Sequence, residues 1–140
     1  MTFKEISAWI MSAALIAGGW FYFNAVKNAS EAAGELATPE LGPIIVYVAI
    51  LIVLSIIGHI IGAGIAGKEA NAPADERDRM VTARAGNLSG VAFGIGVMTG
   101  LGGYLMNGSG DILFYTVVAA LMVSQLIEYL MQIWFYRRGV

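Results

Sequence analysis

Apolar residues run through this chain in four long blocks, and polar residues collect in the breaks between them. The blocks extend over about 5–26, 41–64, 85–106 and 112–136. Each is long enough to cross a hydrocarbon core of about 30 Å, which takes about 20 helical residues at about 1.5 Å apiece. The pattern therefore predicts four transmembrane helices in a single domain covering 1–140, with a polar loop at 67–84 between the second and third. Lys4 ahead of an apolar run resembles the start of a signal peptide, but the run is long for one. Its bulky "GGWFYFN" end is also a poor cleavage site, so the first block is expected to be a retained helix. The stretch "SEAAGELATPELGP" is expected to form a short surface helix ended by Pro39. No internal repeat or low-complexity segment is visible.

Composition strengthens this reading. Of 140 residues, 58% are hydrophobic and 13% charged, whereas about a quarter of a soluble domain is charged. The expected class is an all-α integral membrane protein, a four-transmembrane-helix bundle. The chain has no cysteine, which excludes disulfides, thiol nucleophiles and dithiol redox pairs. Its one histidine excludes a metal or haem site built from several imidazoles of one protomer. No metal or cofactor is expected.

Charge supplies an orientation. Of the eight Lys and Arg residues, only Lys27 lies outside the N-terminus, the loop at 67–84 and the C-terminus. The positive-inside rule then predicts both termini and that loop in the cytoplasm of a bacterial inner membrane. Trp9, Trp134 and Tyr136 would mark the inner interface, and Trp20, Tyr22, Tyr47, Tyr104 and Tyr115 the outer one.

Small residues suggest how the helices meet. Gly86, Gly90 and Gly94 recur every four residues in the third block, as do Gly96 and Gly100, while Gly58 and Gly62 occupy the second. In lipid, small residues let backbones approach and so create interfaces. The bland reading is packing inside one bundle; the sharper one is a self-association surface or a bent, pore-lining helix. "GIGVMTG" is not a phosphate loop, since it lies inside an apolar span and has no lysine.

Polar groups inside the slab are costly and usually face protein or a cavity. His59 and Glu128 stand out. Counted from the outer boundary, both lie roughly 22 to 24 Å down the core, at nearly the same depth. Helical spacing adds Gln125 and Gln132 on the face of Glu128, and Ser55 one turn from His59. Ser89 and Ser12 lie at similar levels. Arg84, just outside the third helix, is expected to reach toward Glu128. The resulting cluster of His59, Glu128, Gln125, Gln132, Ser55 and Arg84 has three readings. One is a hydrogen-bonded clamp between the second and fourth helices, another a proton relay or cation site in a small transporter, and the last a contact for lipid or a partner. Ser55 and His59 alone lack the rest of a hydrolytic site, and a haem would need a histidine from another protomer.

The remaining feature is the charged run "NAPADERDRM". Pro73 stops what precedes it, Asp75 is a good N-cap, and Asp78 stands where the reciprocal partner of a capping box belongs. A helix starting there is expected to run through Arg84 into the third block, with Met80 and Val81 toward apolar neighbours. Three acids and three bases in 75–84 argue against a polybasic lipid-binding patch or a nucleic-acid site. Asp75, Glu76, Arg77, Asp78 and Arg79 are read as a self-paired helix start, or as the contact for a cytoplasmic partner or a lid over the cluster.

"DERD" followed by "RAGN" at the mouth of an apolar helix resembles a pattern in small bacterial and archaeal membrane proteins of unknown function, the DUF2178-like group. The matching residues are Asp75, Glu76, Arg77, Asp78, Ala85 and Gly86, with Arg84 where that group often has lysine. The resemblance covers only the stretch around the middle loop. It implies a four-helix inner-membrane protein and brings no activity with it. Small multidrug transporters would carry a glutamate inside the first helix, and the motifs of fluoride channels are missing.

The expected function is that of a small inner-membrane accessory or regulatory protein, not an enzyme, acting through helix packing and its charged loop. The alternative is a small oligomeric proton-coupled transporter or channel using Glu128 and His59. Its expected partners are the lipid bilayer, further copies of itself or a larger membrane complex, and a cytoplasmic protein, with no nucleic acid.

Overall fold

The computed structural model describes residues 2–71 and 73–139. Four α-helices form: α1 Phe3–Ala33, α2 Leu41–Ala66, α3 Glu76–Asn107 and α4 Gly110–Arg138, with a 3-10 turn Gly67–Asn71 after α2. No strand occurs among the described residues. All four helices are long and apolar enough to cross a membrane.

Three of the four helices, α1, α3 and α4, begin on a side-chain cap, whereas α2 starts after Glu40 with none. Thr2 caps α1 by accepting from the Glu5 amide, and Ser109 caps α4 through the Ile112 amide. At α3 both halves of the expected capping box form: Asp78 N–H donates to Asp75 at 2.7 Å and Asp75 N–H to Asp78 at 3.3 Å. Gly34 and Gly108 end α1 and α3 in the left-handed conformation, at φ 75° and 67°, which glycine adopts without steric penalty.

Two expectations about boundaries change. α1 does not stop near Val26 but continues to Ala33, because Asn24, Lys27 and Glu31 are tolerated in a helix exposed to water and Lys27 pairs with Glu31 at 3.7 Å. No separate surface helix precedes Pro39. The segment after Gly34 is instead tied down by the Ala37 amide, which donates to Ser30 at 3.0 Å, and by Tyr115, which donates to the Ala37 carbonyl at 2.8 Å.

The packed pairs are α1 with α2, α1 with α4, and α3 with α4. The bundle is thus opened into a row in the order α2, α1, α4, α3. α2, the most apolar helix, buries few of its residues, Tyr47 and Gly62 among them.

Glycines set the tightest seams. A Cβ on Gly58 would collide with Ile10, and one on Gly62 would lie 3.1 Å from Ile6 and Ile10, so α1 rides directly on the α2 backbone. A Cβ on Gly96 would collide with Ala120, and Gly100 is closed over by Leu113 and Thr116. Gly86, Gly90 and Gly94 have nothing within 4 Å of where a Cβ would stand. The two glycine rows of α3 therefore divide: one makes the seam with α4, and the other lies on an uncovered face.

Where α1 begins and α4 ends, polar contacts lock the row. Glu5, 8% exposed, accepts from Arg137 Nε at 3.0 Å, and the Arg137 guanidinium lies 5.5 Å from the centre of the Trp9 ring. Tyr136 donates to Asp78 at 2.8 Å, and Arg77 donates to the Tyr136 carbonyl at 2.8 Å. Beneath these, Val81 and Ala85 are fully buried against Phe135, with Met131 and Tyr136 alongside. Val81 points inward as expected, but Met80 remains exposed.

Candidate functional site

His59 and Glu128 belong to two separate sites. His59 Nδ1 lies 2.7 Å from the Ser55 carbonyl oxygen and its Nε2 lies 2.7 Å from Ser7 Oγ. A carbonyl only accepts, so Nδ1 carries the proton. Nε2 is then the acceptor, and Ser7 donates to it. The Ser55 hydroxyl lies 3.3 Å from Nδ1, and Phe3 meets the imidazole edge-on with ring centres 6.3 Å apart. Helix geometry explains the first contact: Ser55 and His59 are one turn apart, and side chains lean back toward the N-terminus onto the preceding turn.

Glu128 faces the other way along the row. Its Oε2 accepts from Ser89 of α3 at 3.5 Å and its Oε1 from Gln132 at 3.4 Å. Both lie at the outer limit of hydrogen-bond geometry, so this carboxylate is held loosely.

The expected joint cluster is therefore corrected in three respects. α2 does not pack on α4, so nothing brings the His59 ring to Glu128. The two residues are also at different levels. Ser7 fixes His59 near the start of α1. The Glu5–Arg137 pair aligns antiparallel α1 and α4 so that Glu128, nine residues before Arg137, stands level with Ala14, nine after Glu5. Seven residues separate Ala14 from Ser7, an offset of about 10 Å. Finally, Arg84 and Gln125 are exposed and bond to neither residue. Arg84 lies on a different face of α3 from Val81, Ala85 and Ser89, the residues turned toward α4.

Ser12 joins neither site. Its hydroxyl is buried without a hydrogen-bond partner among the described residues.

The charged run sorts into two groups. Asp75, Asp78 and Arg77 are engaged in the cap and in the Tyr136 contacts. Glu76 and Arg79 are exposed. The run docks on the end of α4 and does not cover His59 or Glu128.

Sequence reasoning missed Ser7, Glu5, Tyr136 and Arg137. For Glu5 a signal existed, since a carboxylate one turn into an apolar helix needs a cation, and Arg137 and Arg138 end the chain's last helix. Chemically, the His59 site offers an imidazole that can take a proton on Nε2 while keeping both contacts, because the Ser7 oxygen accepts as well as donates. The Glu128 site offers a carboxylate with spare acceptor capacity.

Compared with protein families, with curated proteins and with solved structures, the chain matches none.

Proposed function

We propose that the protein is a non-enzymatic accessory or regulatory subunit of a bacterial inner membrane, with both termini in the cytoplasm, that works by lateral helix contacts and by its charged loop. One observation carries the reading: His59 and Glu128 are used separately, each to tie its own helix to a different neighbour, and lie about 10 Å apart in depth. Residues in that arrangement stitch helices together and do not form a shared conduction path. Four spans, an even number, return the chain to its starting side, and the clustering of Lys and Arg at that side supports its being the cytoplasm.

Affinity purification from native membranes tests it. Reversing the exposed charges at Glu76 and Arg79 is expected to deplete a co-purifying protein while the helical fold persists by circular dichroism. Retention of every partner by this variant would count against the loop as a contact.

A second reading, a proton-coupled carrier, is favoured by the loose hydrogen bonding of Glu128. It requires a pH-dependent flux in liposomes that Glu128→Gln abolishes. Equal flux in both proteins removes it.

A further inference from the structure

The row of helices opens a cleft of about 430 Å³ between the first turn of α1 and the first two turns of α3, lined by Lys4, Ala74, Asp78, Arg79, Thr82 and Ala83. Three features give it a positive character. First, α1 and α3 run in the same direction, since each is antiparallel to α4, so two helix N-termini converge on one spot. Each N-terminus carries about half a positive charge, and its N–H groups without an intrahelical acceptor are capped only in part, by Thr2 at Glu5 and by Asp75 at Asp78. Second, Lys4 and Arg79 are exposed cations with no hydrogen bond or ion pair among the described residues. Third, the one carboxylate in the wall keeps its charge, but both of its oxygens already accept hydrogen bonds and so take up neither cation. Asp78 accepts from Tyr136 through one oxygen and from the Asp75 amide through the other. In space Lys4 arrives from α1, so the wall holds two cations, Lys4 and Arg79, against the single carboxylate of Asp78.

Lys4, Arg79 and the Thr82 hydroxyl remain as uncommitted groups, two cations and a donor, around a space that opens where the apolar helices end. We propose that this cleft binds the phosphate of an anionic phospholipid headgroup. The assignment rests on the part of the proposed function that places the four helices in a bilayer. A headgroup fits better than a soluble anion because the cleft lies at the level where a lipid's phosphate sits, just beyond the apolar core.

The test uses the full chain, reconstituted in nanodiscs holding phosphatidylglycerol and phosphatidylcholine in equal amounts. Bound lipid is then counted by native mass spectrometry. The expected result is preferential retention of phosphatidylglycerol, weakened about thirtyfold in the Lys4→Gln/Arg79→Gln variant by the loss of two cations near the surface. Ala83→Trp, which fills the cleft without altering charge, is expected to do the same. Lys68→Gln, on the same side but outside the cleft, is expected to leave retention unchanged. Undiminished retention in the double variant overturns the site. So does an equal loss in Lys68→Gln, which would reveal only general surface attraction. If inorganic phosphate without lipid raises the melting temperature, and the same variants abolish that rise, the ligand is free phosphate and the headgroup assignment fails. Retention of both lipids without preference defeats the inference while leaving the membrane reading intact. Retention of neither defeats the membrane reading itself.

Discussion

Arg137 holds its Nε 3.0 Å from a carboxylate oxygen of Glu5, across 132 residues of sequence, and this contact sets the register of the two central helices. The partners are unequally placed: the Glu5 side chain is 10% exposed and that of Arg137 58%. Removing the cation leaves a buried carboxylate unpaired, whereas neutralising the acid leaves an arginine that water can solvate. Arg137→Ala is therefore expected to cost about 1 to 3 kcal/mol, and Glu5→Gln clearly less. Thermal unfolding in detergent measures both. Equal losses would mean that Glu5 is solvated in the folded protein.

The glycine rows of α3 make a contrast within one helix. Gly96→Ala drives a methyl into Ala120 and should destabilise by about 1 to 3 kcal/mol, the usual range for overpacking. Gly58→Ala against Ile10 is expected to behave alike. Gly90→Ala meets nothing in the protomer, so its protomer stability should hold or rise. A loss at Gly90 comparable to that at Gly96 would show that a second molecule covers this face, which cross-linking with and without Gly90→Leu would then detect.

Ser7→Ala removes the donor to His59 Nε2 and should weaken the α1–α2 seam by about 0.6 kcal/mol, and by no more than roughly 2, as interhelical hydrogen bonds in lipid do. Ser55→Ala should cost less, because its hydroxyl is the longer contact and the Ser55 carbonyl remains. Unfolding by denaturant in mixed micelles ranks the two, and the reverse order would place the principal bond of the imidazole on the Ser55 hydroxyl.

Ser12 supplies the opposite sign. Its hydroxyl is buried and unpartnered, a state that costs about 1 to 3 kcal/mol. Ser12→Ala is expected to raise the melting temperature. A fall would imply that the hydroxyl binds a water or a ligand in the native membrane.

The sequence made the existence of the four helices legible because their apolar length far exceeds anything a connecting segment would carry. The Asp75 and Asp78 cap was legible for a different reason: both residues and both amides lie within one turn, so no tertiary knowledge is needed. Pairing between helices was not legible. A count along each helix yields depth only if the boundary is placed well, and the levels assigned to His59 and Glu128 were off by about two turns relative to each other. Nor does spacing say which neighbour a face meets, and so Arg84, expected to reach toward Glu128, is exposed and does not touch it. The register depends on Glu5 and Arg137, which only the folded chain brings together.

The row order α2, α1, α4, α3 makes the molecule two hairpins. Within each, the helices are joined by a short connection and a glycine seam; between them, α1 and α4 meet without a glycine seam and are clasped at one end by Glu5 and Arg137 and at the other by Tyr115, which holds Ala37 of the α1–α2 connection. Such a chain is modular in its biogenesis. Each hairpin can enter the bilayer as a unit that satisfies its own backbone, leaving the α1–α4 contact to be made afterwards. Cutting the chain between Asn71 and Asp75 would leave two fragments that recombine when expressed together, and the strength of their reunion would report on the α1–α4 contact with its two end clasps.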